Sequence, residues 1–429
     1  MMATATVILL VSFIVLIILR IPVALSLVIS SFATGWYLQV PLQVVGQQML
    51  NGLNSFSLMA IPLFILAGEI MGEGGISARI IDLSNLLVGK FSGGLALVNV
   101  VSSMFFGGIT GSSVADASSI GSIMIPMMRK KGYDKDYSVA VTITSSIQGV
   151  LVPPSHNIIL YALAAGGVSI TSLFAAGIVP GVVLMIAVMI LSFIIAVVRK
   201  YPKGTSIPKS EWPKILWNGF LSLTTAFIIL GGILGGIFTA NESASIAVVY
   251  AFILVFVVFR DIPLRKAHVI FTNTFVKLSA VLFLISASSG FAWFLNYLQV
   301  PQLMMQGLLG ISHNKYVLFL IIDLLILLLG IVMDMAPLIL IATPTLLPIV
   351  TQLGMNPVQF GIILMLATGI GLVHPPVGSA LFVGASIGEI SIEKVTKTML
   401  PFLGVLFIVL MLITYIPSLT LWFPNLVVH

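Results

Sequence analysis

The sequence predicts an all-α polytopic membrane protein made of inverted repeats, each holding one re-entrant helical hairpin and one broken helix. Three observations carry that reading. First, 59% of the residues are hydrophobic and only 7% are charged, and the mean hydropathy is +1.19. Soluble domains carry about 25% charged residues. Second, the apolar stretches are interrupted. Between Gly107 and Asn157, one apolar run is broken by Gly107-Gly108 and Gly111-Ser112-Ser113, and the next by Gly149 and Pro153-Pro154. Unpaired backbone N–H and C=O groups are costly in lipid, so irregular backbone at that depth survives where it lines a protein cavity. Third, the pattern returns. Pro375-Pro376 follows Pro153-Pro154 by 222 positions. At the same offset Gly108 matches Gly330, Pro126 matches Pro348, Gly132 matches Gly354 and Gly149 matches Gly371, while Gly166 matches Gly388 and Ser169-Ile170 matches Ser391-Ile392. Corresponding broken segments in two halves point to a transporter's binding site.

The elements follow in order. An apolar helix runs to about Leu19, with no basic residue before Arg20, and reads as a retained first helix whose N-terminus lies outside. Pro22 starts a second helix that ends at the aromatic pair Trp36-Tyr37. Residues 41–54 are too polar to cross and are expected to lie along the outer surface. A third helix, about 56–72, contains Glu69. Residues 76–90 alternate charged and apolar positions at helical spacing, which predicts an amphipathic arm at the interface. A hairpin over about 92–128 has its tip near Gly111-Ser112-Ser113 and returns to Arg129-Lys130-Lys131. That basic loop places both its ends in the cytoplasm. A broken helix, about 137–166, and a helix, about 171–198, lead to a linker with Arg199, Lys200, Lys203, Lys209 and Lys214, also cytoplasmic.

Helices at about 215–238 and 243–259 then return to Arg260, Arg265 and Lys266, and one at about 270–297 crosses outward. Residues 300–313 echo the amphipathic arm. A second hairpin, about 314–350, has its tip near Met333 to Pro337, and its return loop carries no cation, which suits the opposite side. A second broken helix, about 359–388, precedes a last helix that ends near Trp422, so the C-terminus is also expected outside. Hairpins that open to opposite sides make the halves inverted.

Composition excludes several classes. With 429 residues, about 20 per crossing leave room for roughly ten to twelve membrane segments. There is no cysteine, hence no disulfide and no thiolate metal site. The +6 net charge sits in short loops, as in cytoplasmic loops of membrane proteins, and implies no nucleic-acid partner. No HExxH, Walker loop or CxxC is present. The chain reads as a transporter driven by an ion gradient and not as an enzyme. An intramembrane serine hydrolase using Ser113 is the alternative of a different class.

Candidate site residues lie at the hairpin tips and helix breaks. Half-helix N-termini suit a carboxylate, and unwound carbonyls and hydroxyls suit Na⁺. The first half offers Gly111, Ser112, Ser113, Asp116, Ser145, Ser146, Gly149, Ser155 and Asn157; the second offers Gly330, Asp334, Thr368, Gly369, Gly371 and Ser379. Small residues also serve close helix packing, which is the competing reading of each one. Acids in apolar segments default to a functional or paired role. Asp334 lies at a tip, and Asp116 either serves the site or caps a helix. Glu69 and Glu242 lie away from the breaks and read as structural, while Asp323 has no evident role. His156 and His374 flank the Pro-Pro pairs and read first as structural donors, with proton coupling as an alternative.

The segments IPLFILAGEIM (61–71), FFGGITGSSVADASSIGSIMIP (105–126), GVLVPPSHN (149–157), GIFTANESASIAVVYA (236–251) and GLVHPPVGSALFVGASIG (371–388) resemble the large membrane subunit of TRAP transporters, the tripartite ATP-independent periplasmic transporters. The resemblance spans nearly the whole chain, and its overall look is most similar to the sialic acid members. It implies location in the bacterial inner membrane and an elevator mechanism coupled to Na⁺. It also implies a small four-helix membrane subunit, a periplasmic binding protein that delivers substrate, and surrounding membrane lipid. Family substrates are organic acids, including C4-dicarboxylates and sialic acids.

On that pattern, residues 92–170 and 314–390 form a transport domain. Residues 1–91 and 171–313 form a scaffold, and 391–429 a C-terminal helix. Na⁺ would be held by Gly111, Ser145, Ser146 and Gly149 at one tip, and by Gly330, Met333, Thr368, Gly369 and Gly371 at the other. The carboxylate solute would lie between the tips, near Ser112, Ser113, Asp116, Ser155, Asn157 and Asp334. One departure is Thr239-Ala240-Asn241-Glu242, where the family often has Thr-Pro-x-Glu. A stand-alone anion symporter or exchanger is the related alternative.

Overall fold

The computed structural model describes residues 1–204 and 207–427. Thr205 and Ser206 of the basic linker, and Val428 and His429 at the C-terminus, lie outside the described residues. The chain is helical throughout, and among the described residues the one extended pairing is an isolated bridge between Ser92 and Lys203.

Helices α1 (Met2–Ile18) and α2 (Val23–Tyr37) form an antiparallel pair, with Pro22 as the N-cap of α2. The short α3 (Leu42–Asn51) follows; Pro41 precedes it, and its polar Gln47, Gln48 and Asn51 fall on one stretch. Next come α4 (Ala60–Glu73) and the amphipathic α5 (Ile76–Val88). The arm is anchored by Arg79, whose guanidinium donates to both oxygens of Asp261 at 2.7 and 2.9 Å and lies 3.6 Å over the ring of Phe259.

The first hairpin is α6 (Gly94–Thr110) and α7 (Ser113–Lys130), turning at Gly111 and Ser112. Gly111 adopts φ +64° there, a left-handed geometry that side chains with a Cβ resist. The first broken helix is α8 (Lys135–Ser146), the single turn α9 (Gln148–Leu151), an extended stretch, and α10 (His156–Ala164). The long α11 (Ile170–Val198) then packs against α6.

Helices α12 (Trp212–Leu234), α13 (Ala240–Phe252) and α14 (Ala267–Tyr297) follow. The departure at 239–242 turns out to be a capping box: the Thr239 hydroxyl accepts from the Glu242 N–H, and the Glu242 carboxylate accepts from the Thr239 N–H at 2.8 Å. Glu242 therefore has a structural task, and the turn needs no proline. The echo arm is α15 (Val300–Ile311). The second hairpin is α16 (Lys315–Val332) and α17 (Met335–Gln352), and the second broken helix is α18 (Pro357–Val373) and α19 (Ser379–Gly388). The element order of the first half thus recurs, and both Pro-Pro bonds are cis.

The C-terminus differs from expectation. In place of one helix there are two, α20 (Ile392–Tyr415) and α21 (Ser418–Val427). Pro417 lacks an N–H and disfavours helix at the residue before it, and Ile416 accordingly leaves the helical region. Released from that axis, α21 packs on α11.

Among the described residues, eight helical stretches are long and apolar enough to cross a bilayer. Others that the sequence counts as segments, such as α6 and α18, have 17 residues and belong to hairpins or broken helices. Large apolar side chains such as Ile14, Ile190, Phe275 and Leu328 face outward, as lipid contact requires.

The halves interlock. The second part of each broken helix packs on the other half's hairpin: α10 on α17, and α19 on α7. The Tyr161 hydroxyl donates to the Pro357 carbonyl at 2.6 Å, tying α10 to the start of α18. Asp323, on the first arm of the second hairpin, is buried and accepts from the Thr414 hydroxyl at 2.8 Å, and the Gln359 amide donates to the carbonyls of Ile413 and Thr414. These bonds dock α16 and α18 on α20.

Candidate functional site

Tip and break meet backbone to backbone in both halves. A Cβ on Gly107 would lie 2.5 Å from Gly149 Cα, and one on Gly371 would lie 2.4 Å from the Gly330 carbonyl oxygen. Only glycine permits such approach, and each contact joins a hairpin to the broken helix that follows it. The first junction is finished by side chains. The Asn157 amide donates to the Gly111 carbonyl at 3.4 Å, and the hydroxyls of Ser113 and Ser146 lie 2.7 Å apart. Ser146 spends its proton on the Ile143 carbonyl at 2.8 Å, so Ser113 is the donor to Ser146. The remaining lone pairs of Ser113 are acceptors.

This interlocking brings the starts of three helices to one cavity of about 570 Å³. Ser112 and Ser113 open α7, His156 and Asn157 open α10, and Asp334 is the N-cap of α17; all line the cavity. Two halves of the chain therefore share one chamber, with the positive ends of three helices at its wall. Helices α4 and α14 also line the cavity and contribute Glu69 and Lys277. These two form an ion pair in which the Lys277 ammonium donates to the Glu69 carboxylate.

The structure thus gathers Ser112, Ser113, Asn157 and Asp334 from the expected solute set. Asp116 and Ser155 stand elsewhere. Ser118 and Ser119 of α7 line the cavity, whereas Asp116 is fully buried and does not line it. Ser155 is buried beside Gly111, whose added Cβ would lie 3.0 Å from Ser155 Cα. Of the expected cation set, Gly111, Ser146 and Gly149 gather at the first junction. The Ser145 hydroxyl is turned back to the Val141 carbonyl at 2.7 Å. At the second, Gly330 and Gly371 touch and Met333 ends α16 in extended geometry. Thr368 donates to the Leu364 carbonyl at 2.6 Å, and Gly369 faces Ile147 and Val150 of the first broken helix.

Among the described residues no three acids or histidines form a metal cluster, so any cation site here rests on hydroxyls, carbonyls and single carboxylates. Buried oxygens without a hydrogen-bond partner occur in the first junction's elements: Ser103 Oγ, both Asp116 oxygens, Thr144 Oγ1 and Ser155 Oγ. Hard oxygens of this kind fit a hard cation such as Na⁺.

Sequence reasoning missed two wall residues. Glu69 reads from sequence as structural because it lies far from either break, yet the fold carries α4 to the cavity. Lys277 is the lone charge inside α14. The rule that singles out intramembrane acids applies equally to it.

The comparisons agree with this architecture. The family model described as "Tripartite ATP-independent periplasmic transporter, DctM component" matches residues 10–419. The chain is 37% identical over 404 residues to the sialic acid TRAP transporter large permease protein SiaM of Vibrio cholerae, covering 94% of this chain and 93% of that one. It is 34% identical over 431 residues to the C4-dicarboxylate TRAP transporter large permease protein DctM of the same species, covering 95% of each. Among solved structures, the YdaH transporter of Alcanivorax borkumensis is similar with a TM-score of 0.65 at 14% identity, over 87% of this chain and 88% of that one, a likeness of fold alone. A multi-pass helical chain with paired hairpins and paired helix breaks, matched across nearly its whole length, belongs to the large permease subunits of the TRAP transporters.

Proposed function

We propose that the chain is the large permease of a Na⁺-driven importer for a carboxylate solute, with sialic acid as the first candidate. The observation that carries this reading is the convergence of three helix N-termini, from both halves, on one cavity. Its volume of about 570 Å³ lies within the range of small-molecule pockets. Positive helix ends favour an anion, while unpartnered buried oxygens in the same elements favour a small cation. Binding both at one junction is the physical basis of coupling, because each lowers the electrostatic cost of the other.

The transport unit in this proposal is the pair of hairpins with their broken helices, moving as an elevator against the remaining helices. The hairpins are re-entrant and oppositely oriented, with both termini periplasmic. A small four-helix membrane subunit and a periplasmic binding protein complete the transporter. A C4-dicarboxylate is the second candidate, favoured by the similarity to DctM.

Proteoliposomes holding this chain, its small subunit and its binding protein test the proposal. Labelled N-acetylneuraminate or succinate should accumulate when Na⁺ is higher outside and stop when the gradient is removed. Uptake indifferent to Na⁺ refutes the coupling. Uptake without any binding protein refutes the tripartite arrangement and favours a stand-alone symporter or exchanger.

A further inference from the structure

We propose that Lys277 is the specificity-determining cation of the cavity, pairing directly with the solute's carboxylate, and that Glu69 holds its ammonium in place. The inference rests on the carboxylate reading above and names the side chain that enforces it.

Charge on the cavity wall comes first. The lining holds the carboxylates of Glu69, Glu73 and Asp334, and Lys277 is its one lysine or arginine. An anion entering a chamber with three acids and no cation would be repelled, strongly so where water is scarce. Lys277 is the group that reverses this locally. The hydroxyl of Ser113 does not replace it, because its proton is already given to Ser146.

Depth comes second. Lys277 is ten residues into α14, which starts at Ala267 directly after Arg265 and Lys266. At 1.5 Å per residue that is about 15 Å from the helix start, near the middle of a hydrocarbon layer about 30 Å thick. A charge there is expensive, and its partner Glu69 lies on a different helix.

Availability comes third. An ammonium has three N–H donors, and among the described residues Glu69 is the single acceptor of Lys277. The Glu69 side chain is 18% exposed and that of Lys277 is 57% exposed. The acid is the seated partner, and the ammonium keeps donors free toward the cavity. A carboxylate arriving there completes a carboxylate–ammonium–carboxylate bridge without displacing Glu69.

The test compares Lys277→Gln, Lys277→Arg, and the double variant Glu69→Gln/Lys277→Gln in the reconstituted transporter, with N-acetylneuraminate and succinate as probes. The single Gln variant leaves Glu69 unpaired and can fail to fold. The double variant removes both charges, so its fold is checked by thermal melting in detergent. A folded double variant should show KM for the imported anion raised about tenfold or more, the scale of one charged hydrogen bond, with a smaller change in maximal rate. Lys277→Arg should recover most of the affinity. A folded double variant with unchanged KM overturns the assignment of Lys277 while leaving the carboxylate reading intact. An unaltered transporter that imports neither anion refutes the carboxylate reading and this inference with it.

Discussion

The hydroxyl of Ser113 donates to that of Ser146 across 2.7 Å, fastening the first turn of α7 to the last turn of α8. The bond fixes which way Ser113 can serve a ligand: as an acceptor, toward Na⁺ or a solute hydroxyl or amide. Ser113→Ala should abolish uptake while costing the fold only about 1 kcal/mol, the net worth of a hydrogen bond. Asp334→Ala should do the same, with the loss of an N-cap worth about 1 kcal/mol. Uptake assays paired with thermal melts separate activity from stability. Normal uptake in both variants would remove the tips from the mechanism.

The side-chain-free seams give a second expectation. In Gly371→Ala the new methyl meets backbone of Gly330, which has no flexible end to yield. The variant should lose about 1–3 kcal/mol, as overpacking does, and lower the melting temperature. Gly46→Ala, inside α3 with open space around it, should be neutral or gain up to about 1 kcal/mol. Equal melting temperatures for the two variants would contradict the seam.

Arg79 anchors the amphipathic arm by two parallel hydrogen bonds to Asp261 and by stacking on Phe259. Lysine has neither the fork nor the planar face. Both partners are partly exposed, at 20% and 23%, so the loss in Arg79→Lys should be modest, about 1 kcal/mol. Proteolysis or hydrogen exchange at residues 76–88 should show the arm loosened to a similar degree in Arg79→Lys and Arg79→Ala. Full protection in the Lys variant would show that charge alone suffices.

At the basic end of α11, Tyr201 donates to Asp134 at 2.6 Å and stacks on Tyr133. Burial and then the Asp134 carboxylate push the Tyr201 phenol from 10.0 up to about 12. Tyr133 is also pushed up to about 12, by burial. The folded protein binds these protons more tightly than the unfolded chain. Their contribution is therefore whole below pH 10.0 and is lost as pH rises through about 12. Melting temperature should fall across that window, and less steeply in Tyr201→Phe. An identical slope in the variant would assign the alkaline loss to other groups.

The fold was readable where backbone chemistry is written into residue type. Glycines, hydroxyls and the paired prolines mark both tips and both breaks, and the structure places helix ends there. What the chain order hides is which face of a helix meets which distant neighbour. Asp116 lies in the most informative stretch yet faces away from the cavity, while Glu69 and Lys277, 208 residues apart, meet on its wall. No local pattern encodes that encounter. It follows from α4 and α14 packing together. The bend at Pro417 had a local signal, but one apolar run on both sides concealed it.

Where Gly107 rests on Gly149 and Gly330 on Gly371, no side chain stands between the paired strands of backbone to act as a hinge pin or a cushion. A flap needs slack at its root, and these roots have none. Displacing one member of either pair drags the other along, so each hairpin tip and the break behind it form one welded block.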